Sequence, residues 1–277
     1  MRYVRPILPV VSYVGGKRKL APRILPWIEA VGHICYAEPF VGMGGVFLQR
    51  RSRPSVEVIN DISRDVSTFF RVIQRHYVPF LEMLRYQVTS RAEFERLSAT
   101  DPDTLTDMER AARFLYLQAC AYGGKVLGRT FGVDSRVFHG FDATRVGPML
   151  EALHDRLAQA VVENLPYGEF LRRYDGPGTL FYLDPPYFQS ETYYGKGVFG
   201  PDDFFILAKQ LRDLAGRFIL SINATPETRE AFAAFEMEEV SYHYTVSRGE
   251  PCNAVEMIVT GPPERRWEKA NRQGALL

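Results

Sequence analysis

The chain has 277 residues, 46% hydrophobic and 24% charged, the make-up of a soluble globular protein with one large domain or two small ones. Its formal charge of +1 neither demands nor excludes a polyanionic partner, because local clustering matters more than the total. No uninterrupted apolar run approaches the roughly 20 residues of a membrane span, and the start MRYVRPILP lacks a signal-peptide cleavage pattern, so a cytoplasmic protein is expected. Cys35, Cys120 and Cys252 suit no disulfide framework, and the five histidines form no pair at metal-binding spacing, so no metal is expected.

Basic residues gather at Lys17-Arg18-Lys19, at Arg50-Arg51 with Arg53, and at Arg265-Arg266 with Lys269 and Arg272. Each alone reads as solvated surface more readily than as a phosphate track.

In chain order, the first strand-like run is CYAEPFV at 35–41. It leads into Glu38-Pro39-Phe40-Val41-Gly42-Met43-Gly44-Gly45, with a helix expected at 46–51. Glycines there let a backbone approach a ligand at the carboxyl end of a strand, where open α/β sheets bind cofactors. The lysine of a Walker A loop and the third glycine of GxGxxG are both missing.

The next strand, VEVIND at 56–61, ends on Asp61. Its carboxylate can accept from a ribose diol or cap a helix beginning at Ile62. From 72 to 145 the alternation stops: two helical stretches and the loop GGKVLGRTFGVDSRVFHGF fit a helical subdomain inserted into an α/β scaffold. A helix over 146–160 follows, then strands at 160–165, 179–184 and 217–223, each compact and apolar as strands covered on both faces should be. Pro201 and Asp202-Asp203 open a helix over 202–215, and Thr225-Pro226-Glu227 opens another.

Runs at 238–248 and 254–261 predict a hairpin that adds antiparallel strands at one side. The fold class is therefore α/β with a mostly parallel sheet. Residues 1–71 and 146–277 form one domain, and 72–145 are inserted in it.

The stretch FYLDPPY at 181–187 puts a carboxylate and twin prolines straight after a strand. Asp184 and the carbonyl of Pro185 can accept the two N–H bonds of an amine. Pro185 and Pro186 hold the acceptors in an extended loop before substrate arrives, and Tyr187 offers a flat face to a base.

The glycine turn, the acid after the next strand and DPPY together resemble the S-adenosylmethionine-dependent amino-methyltransferases. EPFVGMGG resembles the glycine turn of the Dam-type DNA adenine methyltransferases, and Ser12-Tyr13-Val14-Gly15-Gly16-Lys17 resembles their GGK segment. AARFLYLQACAYGG and AVEMIVTG are similar to their helix beside the recognition region and to their C-terminal strand.

The resemblance implies a Rossmann-like methyltransferase fold with S-adenosylmethionine as cofactor and transfer to N6 of adenine in double-stranded DNA, with the target base flipped out of the helix. Catalytic roles fall on Asp184, Pro185, Pro186 and Tyr187. Cofactor contacts fall on Tyr13, Gly15, Gly16, Lys17, Glu38, Pro39, Phe40, Gly42, Gly44, Asp61, Tyr167 and Asp184, with Lys17 suited to the cofactor carboxylate or a phosphate. Lys125, Arg129 and Arg136 are expected on DNA, and the loop 188–200, with Tyr193 and Tyr194, over the flipped base. A monomer is expected, with a restriction endonuclease acting on the same site as a companion.

Three departures stand out: Ser12 replaces a tryptophan frequent in that family, and Pro166 replaces the aspartate placed to bind the cofactor adenine. The loop after Gly124 matches known recognition loops poorly, so no target sequence carries over. Rival readings are N4-cytosine methylation, disfavoured by aspartate rather than serine before PPY, methylation of RNA or of a protein glutamine, and a catalytically weak DNA-binding relative.

Overall fold

The structure, a computed structural model, describes residues 1–13, 15–17, 20–132, 140–188, 199–244 and 252–262, without the side chains of 241–244 and 252–254. Its main sheet has seven strands in the order β5-β4-β2-β6-β7-β9-β8. These are β2 (Cys35–Glu38), β4 (Val56–Asn60), β5 (Ala160–Glu163), β6 (Thr179–Leu183), β7 (Arg217–Asn223), β8 (Glu236–Tyr244) and β9 (Cys252–Gly261). The first five run parallel, and β9 lies between β7 and β8, antiparallel to both. The expected antiparallel addition is therefore one strand, β9, whose hairpin partner runs with the parallel set.

Strand residues alternate between two cores, as a period of two requires. Leu180 and Tyr182 of β6 enter one apolar cluster with Ile24, Phe69, Phe70, Phe114 and Ile219. Phe181 and Leu183 enter the other with Phe170, Phe204, Leu207 and Phe218. Helices α1 (Ala21–Ala30), α2 (Arg64–Leu84), α4 (Asp107–Cys120) and α5 (Ala143–Leu157) pack in the first cluster, and α6 (Tyr167–Tyr174) and α7 (Pro201–Arg212) in the second.

The helical segment is joined closely to this scaffold. The boundary expected at residue 72 falls inside α2, whose Val72 and Ile73 share the first cluster with the sheet. Phe94 of α3 (Arg91–Ala99) and Phe114 of α4 extend that cluster. α4 starts with reciprocal bonds: Glu109 N–H donates to Thr106 Oγ1 at 3.4 Å, and Thr106 N–H to Glu109 Oε2 at 2.9 Å. That box satisfies two of the donors a helix start leaves open.

Two local expectations are corrected. Instead of a helix over 46–51 there is a short 3-10 turn, Phe47–Gln49, then β3 (Ser52–Arg53) paired antiparallel with β1 (Arg2–Tyr3). Val46, Phe47 and Leu48 are all buried, leaving no polar face on which a surface helix could continue, and Arg50 turns extended. α2 begins at Arg64 with Ser63 at its cap position, two residues later than expected, because Asp61 Oδ1 accepts the Ser63 N–H at 2.8 Å and holds the intervening turn. Among the described residues, no helix is long and apolar enough to cross a membrane.

Candidate active site

β2 is flanked by β4 on one side and β6 on the other. The chain winds outward from β2 through β4 to β5, then returns to β6 and winds the other way. Loops leaving the carboxyl ends of β2 and β6 therefore face the crevice where open α/β sheets bind ligands. The glycine turn leaves β2, and DPPY leaves β6.

The glycine turn is held by backbone bonds: Val41 N–H to Asn60 O at 2.9 Å and Gly44 N–H to Val41 O at 2.8 Å. Gly42 (φ +50°) and Gly44 (φ +76°) adopt left-handed conformations that side chains disfavour. A Cβ on Gly42 would lie 3.3 Å from the Tyr13 ring, so this tyrosine packs directly on the turn. Asp61 joins the same structure, its Oδ2 accepting the Gly42 N–H at 2.9 Å. Burial pushes the Asp61 carboxyl up to about 6, while bonds from Ser63 and Gly42 oppose the shift.

At the DPPY corner four side chains from three distant parts of the chain meet. Lys17 Nζ lies 2.5 Å from Asp184 Oδ1 and 3.2 Å from Glu256 Oε1, and donates to the Tyr187 hydroxyl at 2.6 Å. That hydroxyl in turn donates to Glu256, 2.5 Å from each oxygen. Burial alone would lower the Lys17 ammonium, but Asp184 and then Glu256 outweigh it and hold its pKa above the ordinary range. Asp184 is pushed up to about 6, by burial first and by Glu256 as a like charge, against the pull of Lys17. Lys17 is 4% and Glu256 1% exposed, whereas Asp184 is 19% exposed, so the catalytic candidate has the open surface.

Lys17, expected at the cofactor carboxylate or a phosphate, has two protein carboxylates and a phenol as partners in this structure. Glu38, expected at the cofactor, is the last residue of β2. It is buried, accepts from the Tyr36 hydroxyl at 2.6 Å, and its pKa is pushed up to about 8, chiefly by burial. Arg50 is no surface residue either, since its guanidinium pairs with buried Glu57 at 2.7 Å.

Two residues at this corner were not picked out in the sequence. Glu256 in β9 sits directly across from Asn223 at the carboxyl end of β7. Asn223 accepts the Phe188 N–H at 3.1 Å and donates to Phe188 O at 3.2 Å, clamping the chain just beyond DPPY. The available signal was polar side chains inside the apolar runs AVEMIVTG and RFILSIN.

Toward β5 the edge becomes aromatic. The Phe40 and Tyr167 rings lie 5.5 Å apart, with Phe199 6.1 Å from the first and 5.7 Å from the second. The Tyr167 hydroxyl donates to Asp203 Oδ1 at 3.0 Å, and that carboxylate also accepts the Gly200 N–H at the start of α7. Pro166 lies just before Tyr167 and brings no polar side chain to this end.

In the helical segment, Lys125 is exposed and Arg129 partly buried. Arg129 Nε donates to Gln118 Oε1 at 3.0 Å, and Gln118 Nε2 donates to Ser12 O and Gly124 O. The candidate DNA loop is thereby tied to the segment that carries Tyr13 and Lys17. Arg136, residues 189–198 of the loop with Tyr193 and Tyr194, and the basic cluster at 265–272 lie outside the described residues.

A switch-point crevice with a glycine turn, an acid after the next strand and an acceptor corner defines the layout of an amino-methyltransferase. The family model described as D12 class N6 adenine-specific DNA methyltransferase matches residues 13–246, and the chain belongs to that family. It is an adenine-specific DNA methyltransferase that acts on N6, and the N4-cytosine, RNA and protein readings fall.

A Type II methyltransferase, M.CviBI of Paramecium bursaria Chlorella virus NC1A, is 20% identical over 238 residues, 85% of this chain and 90% of the viral one. A solved structure described as precorrin 8W decarboxylase, the product of gene MT0146 in Methanobacterium thermoautotrophicum, is 12% identical. It aligns over 88% of this chain and 90% of its own with a TM-score of 0.38.

Proposed function

We propose that the methyl donor is S-adenosylmethionine and that Asp184 and the Pro185 carbonyl receive the N6 amine of an adenine flipped out of double-stranded DNA. The observation that carries this reading is the acceptor corner itself, beside the glycine turn, where Asp184 is partly exposed while the Lys17 and Glu256 it is grouped with are buried.

The donor's methionine and ribose ends fit the residues present. Gly42 and Gly44 turn the backbone through left-handed conformations at the carboxyl end of β2, and Gly42 is partly exposed there. Asp61 is partly exposed, and each of its oxygens retains a lone pair beyond those used by Gly42 and Ser63. The adenine end fits by stacking on Phe40 and Tyr167 rather than through a carboxylate, because Pro166 lacks one. When bound, S-adenosylmethionine supplies a methyl group on a positively charged sulfur.

The adenine amine is a poor nucleophile because its lone pair belongs to the ring. Two acceptors on its N–H bonds draw density back to nitrogen and stabilise the positive charge that develops there as the N–C bond forms. The nitrogen then loses one proton, so no separate strong base is required. Tyr187 borders the base with its ring, and the twin prolines fix the acceptors in advance.

Lys125 and Arg129 on the helical segment 72–145 are placed on DNA in this reading. The working unit in this reading is a monomer. The Type II name of the viral relative supports a companion restriction endonuclease for the same site, and the DNA substrate suits a cytoplasmic protein.

Incubation with methyl-labelled S-adenosylmethionine and mixed-sequence DNA, followed by digestion to nucleosides, tests the proposal. Label is expected in N6-methyladenine from duplex DNA. Label in N4-methylcytosine, or no transfer from this donor, contradicts it.

A further inference from the structure

Glu256 is a carboxylate flanked by Val255 and Met257 in β9 and is 1% exposed. Placing such a group inside a protein is costly unless its charge is compensated. Its compensation is Lys17 at 3.2 Å and the Tyr187 hydroxyl at 2.5 Å, and the same Lys17 holds the acceptor Asp184.

The Lys17 ammonium has three N–H donors, and three oxygen partners surround it: Asp184, Glu256 and the Tyr187 hydroxyl. Its shortest contact is Asp184 Oδ1. A carboxylate oxygen already holding an ammonium at 2.5 Å is a weaker acceptor for a second, neutral N–H. For Asp184 to serve an incoming amine well, Lys17 must relax toward another anion, and a buried ammonium cannot simply lose its counter-charge.

We propose that Glu256 is a positioning residue for methyl transfer: it takes over the Lys17 ammonium, together with the Tyr187 hydroxyl, as Asp184 turns to the target amine. The inference rests on the reading of Asp184 as the amine's acceptor. The hand-over needs only a small displacement, since both carboxylates already lie within 3.2 Å of Nζ. Glu256 is held for it by its register opposite Asn223 in the β7–β9 pairing. Asn223 also clamps Phe188, immediately after Tyr187, so one pair of strands positions both the second carboxylate and the exit of the DPPY corner.

The charges facing Asp184 give the proposal a signature. They are Lys17 from the N-terminal segment, Glu256 from β9, Glu38 from β2 and the Tyr182 phenol from its own strand. Glu256 acts as a like charge that keeps a proton on Asp184 to higher pH. Removing that charge therefore moves the acid limb of the rate profile to lower pH, while leaving Lys17 bound to Asp184 alone and slowing transfer. A glutamate that acted only as a nearby charge would move the limb but leave kcat of the folded enzyme unchanged, so the loss of kcat carries the hand-over.

The test is single-turnover and steady-state methylation across pH by the full chain, with Glu256→Gln, Glu256→Asp and Asp184→Ala compared with the unaltered protein. Glu256→Gln is expected to lower kcat by roughly a hundredfold and to shift the acid limb down, with KM for DNA and for the donor unchanged. Glu256→Asp keeps the charge, so it should leave the limb in place and recover part of kcat.

Unchanged kcat in Glu256→Gln overturns the proposal whether or not the limb moves, as does a loss confined to KM. If Glu256→Gln does not fold, Glu256→Asp decides: a full kcat there overturns the proposal, and a lowered kcat with an unshifted limb supports it. Loss of activity in Asp184→Ala alongside a normal Glu256→Gln removes the hand-over but keeps Asp184 as acceptor, whereas activity in Asp184→Ala removes both.

Discussion

Two of the buried ionic clusters among the described residues are built on different lines. At the carboxyl edge, Lys17 faces two carboxylates, Asp184 and Glu256, and one of the three is open to solvent. Beneath the sheet, Glu57 lies between two guanidiniums: Arg50 at 2.7 Å and Arg156 at 2.6 Å to one oxygen and 2.8 Å to the other. Arg50 rests 3.6 Å over the Tyr36 ring and Arg156 3.9 Å over Phe47. His33 completes it: burial first, then Arg50, pushes its pKa down to about 4, so the neutral ring accepts from Arg50 at 3.3 Å and donates to Val31 O at 2.6 Å.

The second cluster is a fixed one. Guanidiniums stay charged at any working pH and bind a carboxylate in a rigid fork, and rings close off the faces that hydrogen bonds leave. The edge cluster uses a lysine, whose donors can rotate between partners, and a carboxyl whose pKa lies within reach of neutral pH. Burial of charge alone does not mark a reaction centre; adjustable partners beside an open surface do.

Substitutions that separate the two clusters follow in order of size. Asp184→Asn, which swaps an anionic acceptor for a neutral amide, is expected to lower the single-turnover rate by roughly a thousandfold with little change in melting temperature. In the unaltered enzyme the same acceptor titrates. As pH falls through about 6, Asp184 takes up a proton and kcat should fall, recovering as pH rises; a rate flat from pH 5 to 8 would break that assignment.

Glu57→Gln leaves two guanidiniums without their anion and is expected to cost about 3–5 kcal/mol of stability, measured by denaturant unfolding. The folded fraction should transfer methyl groups at a near-normal rate. Asp61→Asn weakens charge-assisted bonds to a ribose diol, and the donor's KM should rise roughly tenfold to a hundredfold with kcat little changed. Gly42→Ala forces a side chain into φ +50° against Tyr13, at about 1–2 kcal/mol, so a modest loss in melting temperature and donor affinity is expected.

Much of the edge layout could be read from the chain because its residues break the rules of their own surroundings. Asp184 with two prolines after an apolar strand, and glycines after another, make sense only where strands end at a crevice. The sheet was legible for a similar reason, since short runs covered on both faces carry no polar alternation.

Glu256 was not legible: whether a carboxylate in a strand points to solvent or into a charge cluster depends on register, and β9 finds its register by pairing with β7. The protein partners of Lys17 were hidden on the same ground. A glycine-flanked lysine suits a phosphate locally, yet two carboxylates from residues 184 and 256 reach it only through the folded sheet. The turn at 46–51 failed as a helix because three consecutive apolar residues were all needed in the core.

The central claim is that the edge cluster performs the chemistry and the cluster around Glu57 holds the scaffold. It is tested most directly by measuring the single-turnover methylation rate and the unfolding free energy of Asp184→Asn and Glu57→Gln side by side. The account predicts that the first variant loses rate and keeps stability, and that the second loses stability and keeps the rate of its folded fraction. Near-normal methylation by Asp184→Asn, or a fully stable Glu57→Gln that cannot methylate, would contradict it.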